Sequence, residues 1–313
     1  MTPNLETYKN IIETALDEYL PVQYPEKIWE SMRYSVLSGG KRIRPIVLLE
    51  ICRALCGEYE HAIPAACALE MIHVYTLIHD DLPCMDNDDL RRGKPTNHKA
   101  YGEAIALLAG DALITHSLQI IMLQQSGEWR VESGKLFFSP NSPLSTLHSP
   151  LSLNTTLRLI EEFTTSAGAN GVIAGQVVDI ESEGREVSAE TLDYIHRYKT
   201  AELFKLAFRA GAILADADEI LLQNVTEIAL LVGRAFQVAD DILDVIATKE
   251  QLGKTPGKDA EAAKATYVTH HGLEKSKKQL CCMVREACDK MIQYNIKSEL
   301  LTELIKNIEK QIY

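Results

Sequence analysis

The segment from His79 to Gly93 contains the residues most suited to chemistry. Five aspartates fall within ten positions and two arginines follow them: Asp80, Asp81, Asp86, Asp88 and Asp89, then Arg91 and Arg92. Two carboxylates about 4 Å apart repel each other by about 4 kcal/mol at an effective dielectric constant of about 20. A divalent metal would offset that repulsion, and the adjacent arginines favour a ligand that is itself negatively charged. The segment therefore indicates metal-assisted phosphate chemistry.

A second acidic cluster lies in the sequence FQVADDILD, which covers residues 236–244. Asp240 and Asp244 are four residues apart, so they share one face of a helix, with Asp241 about 100° round from Asp240. The other faces are apolar. A solvated stripe would mix lysine and glutamate with aspartate, so the pattern predicts a face that is buried against a charged ligand.

Pro83 explains how distant residues of the first cluster could reach one ion. Asp80 and Asp86 are six residues apart and would point about 240° apart on a straight helix. Pro83 cannot donate a hydrogen bond, so we expect the helix to end or bulge near Asp81 and Asp86 to turn back. An EF-hand calcium loop does not fit, because Leu90 stands where a fifth ligand is required.

Basic residues that could hold a second anion occur in the sequence GGKRIRP, at residues 39–45. Lys41 and Arg44 are three residues apart beside a predicted helix start, where a phosphate is favourably bound. His73 precedes Asp80 by seven residues and shares nearly the same helical face, although such a histidine is more often a core residue. Spacing alone does not distinguish Lys199, Lys254 or Lys264.

Composition excludes several other classes of protein. The chain has 313 residues, 46% of them hydrophobic, and a net charge of −12, which argues against a nucleic-acid partner. The N-terminal residues lack the basic start and apolar core of a signal peptide, and we find no apolar run of about 18 residues that would suit a membrane span. Seven cysteines without a C-x-x-C pattern indicate reduced thiols and a cytoplasmic location.

The periodicity of apolar residues predicts helix nearly throughout, with no convincing sheet. Predicted helical segments cover residues 43–57, 61–80, 101–124, 156–181, 188–214, 219–247 and 272–311. Residues 126–155 are rich in serine and proline and are expected to form an irregular loop excursion. This excursion could be a plain connection, or it could cover a substrate entrance or a subunit surface.

Taken together, these segments closely resemble the trans-isoprenyl diphosphate synthases. The resemblance runs from about residue 30 to residue 270 and rests on long motifs in the right order: GGKRIRP at 39–45, DDLPCMDNDDLRRGKPTNH at 80–98, LAGDAL at 108–113, GQVVD at 175–179, KTAELF at 199–204, FQVADDILD at 236–244 and LGK at 252–254. It implies an all-α, single-domain bundle of ten or more helices around a central cavity, over residues 1–313, and a homodimer.

The resemblance also implies a mechanism and a role for each site residue. An allylic diphosphate would bind through Mg²⁺, three ions per active site with Mn²⁺ able to substitute, to Asp80, Asp81, Asp86, Asp240, Asp241 and Asp244. Arg91, Lys254 and Lys264 would add positive charge to that diphosphate. Isopentenyl diphosphate, held by Lys41, Arg44, His73 and Arg92, would attack the ionised substrate, while Lys199, Thr200 and Gln237 would lie beside the developing cation.

Product length depends in this family on the helix that precedes the first acidic motif. Tyr75 and Thr76 lie about one turn before Asp80, and a bulky residue there would form the floor of the product tunnel. Tyrosine favours farnesyl diphosphate. The residues around the motif also resemble those of plant-type geranylgeranyl diphosphate synthases, so geranylgeranyl diphosphate remains the alternative product.

Three rival classes share some of these features. A catalytically silent partner subunit of the same fold would be expected to lose aspartates, yet both clusters are intact. A class I terpene cyclase would not need the basic motif at 39–45 or the pair Arg91 and Arg92. A structural metal-binding helical protein would bind Mg²⁺ with an affinity that diphosphate does not change.

Overall fold

The structure, a computed structural model, describes residues 3–125, 129–132, 135–138, 151–246 and 266–312. These residues form fourteen α-helices: α1 Leu5–Tyr19, α2 Glu26–Val36, α3 Ile43–Cys56, α4 Ile63–Asp80, α5 Asn97–Tyr101, α6 Glu103–Gln125, α7 Leu153–Ala167, α8 Val172–Ser182, α9 Ala189–Ile195, α10 Glu202–Leu214, α11 Glu219–Ile246, α12 Tyr267–His271, α13 Leu273–Gln293 and α14 Glu299–Lys310. A 3₁₀ turn covers Glu60–Ala62 and a π-helical turn covers His196–Ala201. The all-α prediction is confirmed, with more than ten helices in the described part of the chain.

The segments with the clearest periodicity of apolar residues form single helices, and these helices end where their sequences predict. Helix α3 ends at Gly57, whose φ of 89° closes the last turn, and α4 has Pro64 in its first turn. Helix α11 fills the predicted segment 219–247 almost entirely. The longer predicted segments are divided instead: 156–181 into α7 and α8, and 188–214 into α9, the π-helical turn and α10.

Two short antiparallel hairpins correct the expectation that the chain has no strands. Strand β1 (Leu90–Arg91) pairs with β2 (Lys94–Pro95) through the two-residue turn Arg92-Gly93, in which both residues have positive φ. Such turns match the natural twist of a hairpin, but strands of two residues show no alternation that a sequence could reveal.

The second hairpin lies inside the predicted irregular excursion. Strand β3 (Trp129–Glu132) pairs with β4 (Lys135–Phe138). Part of the excursion at 126–155 is therefore regular, and α7 already begins at Leu153. Residues 126–128, 133–134 and 139–150 of the excursion lie outside the described residues.

The chain divides into two compact units. Unit 1 contains residues 1–53 and 57–163, and unit 2 contains residues 54–56 and 164–313. In unit 1, α4 packs against α1, α2 and above all α6. In unit 2, α11 packs against α10, α13 and the π-helical turn. The single-domain prediction concerns the assembly of both units and stays a prediction.

Helix α4 is central in unit 1 because it is apolar all round. Eleven of its residues between Ala65 and Ile78 are buried, so no polar face remains to meet water. Two segments, 60–80 and 103–123, are long and apolar enough to cross a membrane by length and composition alone. Their most apolar stretches are 67% and 44% buried within the protein, and burial of this kind is also found in ordinary core helices.

Candidate active site

The first acidic cluster folds back on itself after α4. The helix ends at Asp80, and the backbone N–H of Asp86 donates a 2.9 Å hydrogen bond to the carbonyl of Asp80. The carbonyl of Leu82 accepts from Met85 and Asn87, which completes the turn around Pro83. The predicted helix end and return of the chain are confirmed, and the backbones of Asp80 and Asp86 are adjacent.

Asp81 has a different role from its neighbour. Its side chain is buried, and Arg91 binds both of its oxygens, with Nε 2.8 Å from Oδ2 and a terminal nitrogen 2.6 Å from Oδ1. The sequence did not predict this ion pair, and the assignments of Asp81 to a metal and of Arg91 to the diphosphate stay predictions. The negative end of the α4 dipole disfavours a carboxylate at this point, and the Arg91 guanidinium compensates for that charge.

Arg92 is attached to the loop that contains the basic motif. Its guanidinium donates to the carbonyl of Gly39 and to Oγ of Ser38, the latter at 3.2 Å. A Cβ on Gly40 would lie 2.9 Å from Cζ of Arg92, so a larger residue at position 40 would require the Arg92 guanidinium to move. The hairpin turn places Arg92, with φ of 53°, at its tip.

His73 lies within the field of several arginines. Burial lowers the pKa of His73 most, and the charges of Arg44, Arg92, Arg91 and Arg42 lower it further, well below its ordinary value of 6.5. His73 thus lies within reach of the charges of Arg44 and Arg92, and their joint binding of one anion stays a prediction. Their mutual repulsion also explains why an anion would be bound there.

Arg42 is a residue that sequence reasoning missed. It is buried, with φ of 51°, and it donates to Oε1 of Glu70 at 2.6 Å and to the carbonyl of Val36 at 2.6 Å. Both side chains are almost inaccessible to solvent, so the pair fixes the start of α3 inside unit 1. Lys41 immediately before it is exposed. The one available sign of this ion pair in the sequence was Glu70, a charged residue within the largely apolar segment that forms α4.

Tyr75 fills the interior of unit 1 one turn before the first cluster. It is 4% exposed, and its ring packs edge-on against His79 with centroids 5.7 Å apart. Burial, followed by the charge of Asp80, raises the pKa of Tyr75. The Thr76 hydroxyl donates to the carbonyl of His73 at 2.7 Å, so it is engaged by its own helix.

The second acidic cluster occupies the last two turns of α11. Asp240 is exposed and Asp244 is half-buried, whereas Asp241 is only 4% exposed. Oδ1 of Asp241 accepts from Nε2 of Gln237 at 2.8 Å, and Oδ2 accepts from the backbone N–H of Tyr267 at 2.7 Å. Asp241 therefore differs from Asp240 and Asp244 in burial and accepts hydrogen bonds from protein donors on both oxygens, while its predicted role as a metal ligand stays a prediction.

The π-helical turn at 196–201 presents two further predicted residues. Nζ of Lys199 lies 2.6 Å from Oδ2 of Asp179, and the Thr200 hydroxyl donates to Oε1 of Gln237 at 2.5 Å. Turns of this kind are frequent at functional sites. No pattern in the sequence indicated the π-helical turn, and the motif GQVVD at 175–179 contains Asp179 but did not indicate its pairing with Lys199. Lys254 and Lys264, the remaining predicted cations, lie outside the described residues.

Two glycines allow neighbouring helices to approach this turn. A Cβ on Gly175 of α8 would lie 2.2 Å from the backbone nitrogen of Lys199. A Cβ on Gly233 of α11 would lie 2.4 Å from Cα of Ala201. The π-helical turn is thus in direct backbone contact with α8 and α11, and no side chain separates them.

Comparison with known proteins gives a consistent result. The sequence profile of the family described as polyprenyl synthetase matches residues 25–298. The chain is 42% identical to a farnesyl diphosphate synthase of Geobacillus stearothermophilus, over 90% of this chain and 88% of that protein. It is also 42% identical to a geranylgeranyl diphosphate synthase of Cyanophora paradoxa, over 94% and 92%. A crystal structure of a geranyltransferase from Helicobacter pylori, complexed with magnesium and isoprenyl diphosphate, superposes with a TM-score of 0.79 at 30% identity, covering 100% of this chain and 98% of that chain.

Proposed function

Because the chain belongs to the polyprenyl synthetase family and is a prenyltransferase that lengthens isoprenyl diphosphates, we propose that its main product is farnesyl diphosphate. Its substrates in this proposal are isopentenyl diphosphate and the allylic dimethylallyl and geranyl diphosphates. Pyrophosphate is the other product. Relatives named for farnesyl and for geranylgeranyl diphosphate are about equally similar to the chain, so similarity does not choose between them.

The observation that supports the farnesyl product is the position of Tyr75. Its ring is buried on the helix that ends in the first acidic cluster, and its hydroxyl is near enough to Asp80 for that charge to act on its pKa. An aromatic ring at this position takes up space that a growing prenyl chain would otherwise fill. A longer product would require a smaller side chain.

The chemistry of the donors fits Mg²⁺. Asp80 and Asp86 in unit 1, and Asp240 and Asp244 in unit 2, offer carboxylate oxygens that the hard Mg²⁺ ion prefers. The carboxylates of Asp80 and Asp244 lie at helix C-termini, where the dipole disfavours negative charge and a cation would relieve it. We assign these four as metal ligands, for three ions, with Mn²⁺ able to substitute. When bound, the metal neutralises charge on the departing diphosphate.

The basic residues of unit 1 supply the site for isopentenyl diphosphate. Lys41 and Arg44 follow the glycine loop, Arg92 is bound to that loop, and His73 stands among the arginines. With its lowered pKa, His73 is neutral at neutral pH and contacts the anion by a hydrogen bond. The arginines orient the diphosphate through paired donors.

The residues of the π-helical turn act on the allylic part of the reaction. Thr200 and Gln237 form one hydrogen-bonded pair, and Lys199 is held by Asp179. The side-chain oxygens of Thr200 and Gln237 present partial negative charge to the cation that develops when the allylic C–O bond ionises. Isopentenyl diphosphate then attacks head to tail, and the released diphosphate takes the proton.

We propose that the chain acts as a homodimer through α6. Leu107, Leu108 and Met122 of this helix are 47%, 52% and 57% exposed. Leu108 and Met122 are fourteen residues apart, so they lie on one face about 21 Å along the helix. An apolar face of this length is typical of contacts between copies of a chain.

Product analysis tests the proposed product. The protein is incubated with isopentenyl and dimethylallyl diphosphates and Mg²⁺, and the dephosphorylated prenols are separated by chromatography. Farnesol is expected to dominate, and mainly geranylgeraniol would contradict the proposal. Tyr75→Ala is expected to lengthen the product, whereas the matched variant Tyr75→Phe keeps the ring and the farnesyl product. An unchanged product in Tyr75→Ala would show that another residue forms the floor.

A further inference from the structure

Asp241 stands out in unit 2 because it belongs to an acidic motif but is surrounded by donors from the protein. Both oxygens accept hydrogen bonds, from Gln237 one turn earlier and from the backbone N–H of Tyr267. Nε2 of His196 lies 3.4 Å from Oδ2. Three separate elements, α11, α12 and the π-helical turn, thus converge on one buried carboxylate. These protein N–H groups occupy acceptor positions on both oxygens of the carboxylate.

The carboxylate determines which way the Gln237 amide points. An ionised carboxylate only accepts hydrogen bonds, so the amide of Gln237 must present its NH₂ group to Asp241. Its oxygen is then forced to the opposite side, where it accepts from the Thr200 hydroxyl at 2.5 Å. The amide orientation is therefore set by the hydrogen bonds to Asp241 and Thr200.

The same constraint reaches Thr200. A hydroxyl has one proton, and Thr200 donates it to Gln237. What remains on Oγ1 is two lone pairs, which form the negative end of the hydroxyl dipole. A cation beside Thr200 would then face the lone pairs of Oγ1. If the Gln237 amide were reversed, its NH₂ group would donate to Oγ1, and the hydroxyl proton of Thr200 would be free to point at the cation.

We propose that Asp241 is a positioning residue that orients the Gln237 amide and thereby turns the lone pairs of Thr200 toward the developing allylic cation. The proposal rests on the proposed function for the place of that cation. It assigns to Asp241 a role different from that of Asp240 and Asp244, which are more exposed.

An exchange of charge between the two side chains tests the proposal. In Asp241→Asn, the new amide still accepts from Tyr267 but offers NH₂ to Gln237, so the Gln237 amide reverses. We expect kcat to fall about 100-fold, at the lower end of the range for a lost electrostatic contact in an active site. In Gln237→Glu two carboxylates face each other, and kcat falls as well.

The double variant that combines Asp241→Asn with Gln237→Glu restores the direction of the Thr200 hydrogen bond, while the bond between positions 237 and 241 re-forms with donor and acceptor exchanged. The carboxylate at position 237 then accepts from the amide at position 241 and from the Thr200 hydroxyl. We expect kcat to recover at least about tenfold over Asp241→Asn alone, which corresponds to about 1.4 kcal/mol. Failure of the double variant to recover would overturn the orientation argument.

The Mg²⁺ dependence provides the control for a metal role. Asp240→Asn, at the exposed neighbouring position, is expected to raise the Mg²⁺ concentration for half-maximal activity several-fold. Asp241→Asn is expected to leave it nearly unchanged while kcat falls. A rise in Asp241→Asn equal to that in Asp240→Asn would overturn the proposal in favour of a metal ligand.

Thermal unfolding separates this inference from the proposed function. Each single variant is expected to lower the Tm, and the double variant to regain most of the loss, whether or not the protein turns over substrate. If the double variant regains its Tm but the wild type forms no prenyl product, the proposed function is refuted, and with it the catalytic role of the hydrogen bonds among Asp241, Gln237 and Thr200. Recovery of Tm and of turnover together would support both.

Discussion

At the scale of single residues, the acidic clusters differ internally although their sequences are uniform. Asp80 and Asp86 have adjacent backbones, whereas Asp81 is bound on both oxygens by Arg91. Asp241 in the second cluster is likewise occupied by protein donors. A carboxylate at the end of a helix needs a positive partner, and whether that partner is an arginine, an N–H group or a metal depends on what the fold brings nearby.

The contact between Gly40 and Arg92 leads to a prediction about substrate binding. In Gly40→Ala the new methyl group would meet the Arg92 guanidinium at 2.9 Å and displace it. We expect the KM for isopentenyl diphosphate to rise about tenfold, corresponding to about 1.4 kcal/mol of lost charged contact, with the KM for the allylic substrate little changed. Steady-state kinetics with each substrate varied in turn measures this difference.

Gly39→Ala is the matched control for backbone strain. Gly39 also has a positive φ, of 88°, but nothing lies within 4 Å of a Cβ placed there. Both variants lose some stability through strain. Only Gly40→Ala is expected to change the KM, and equal KM values in the two variants would contradict a role for the Arg92 contact.

His73 leads to a prediction about pH and stability. Its pKa is lowered in the folded protein by burial and by the arginines, so the unfolded chain binds more protons below pH 6.5, the ordinary value. Stability therefore falls as the pH falls through that value. Replacing His73 by Gln should reduce the loss of unfolding free energy between about pH 7.5 and about pH 5.5 by about 1 kcal/mol. Urea unfolding at both values measures it, and an unchanged pH dependence would show that His73 protonates freely.

At the scale of elements, the π-helical turn at 196–201 is the part of unit 2 that depends most on its neighbours. Gly175 of α8 and Gly233 of α11 lie in close contact with the backbone of this turn. The π-helical turn brings Lys199 within hydrogen-bond distance of Asp179, and Thr200 within hydrogen-bond distance of Gln237. A wider backbone turn of this kind is stable only where packing over-determines it.

Substitution of Gly233 tests this packing because two effects oppose each other. Alanine improves helix propensity by about 1 kcal/mol over glycine, which alone would stabilise α11. The added methyl group would lie 2.4 Å from Cα of Ala201, and overpacking costs about 1–3 kcal/mol. We expect Gly233→Ala to lower both the Tm and kcat. Gln223→Ala, on an exposed part of the same helix, is expected to change neither, and a stabilised Gly233→Ala would contradict the close contact.

At the scale of the whole molecule, each unit is organised around one long helix that ends in an acidic cluster. Helix α4 is apolar on all faces and is the centre of unit 1. Helix α11 in unit 2 contacts α10, α13 and the π-helical turn. The acidic clusters lie at the ends of these helices, and a buried helix positions a catalytic side chain more precisely than a loop does.

The exposed face of α6 leads to a prediction about assembly. Leu108→Glu places a charge in the proposed contact between two copies, where it would be desolvated without a partner. We expect the dimer to dissociate at least about tenfold more readily, which corresponds to about 1.4 kcal/mol. Sedimentation equilibrium over a range of protein concentrations measures the dissociation constant.

Ile220→Glu serves as the control for an exposed charge elsewhere. Ile220 lies in the first turn of α11 and is 70% exposed, so its replacement should leave the assembly as it is. If Leu108→Glu and Ile220→Glu behave alike, α6 is not the contact surface.

The sequence by itself determined the helical class, the course of α3, α4 and α11, and the two acidic clusters. Apolar periodicity is a local property, and the motifs are contiguous. The turn back of Asp86 after Pro83 was also predictable, because proline acts on the adjacent backbone.

The tertiary structure decided which charged residue meets which partner. Asp81 with Arg91, Arg42 with Glu70 and Asp241 with Tyr267 join residues that are 10, 28 and 26 positions apart. The π-helical turn and the two-residue strands also depend on packing and turn geometry rather than on a repeating pattern. Partners and strain arise from contacts between distant parts of the chain, and a pattern of neighbouring residues does not encode them.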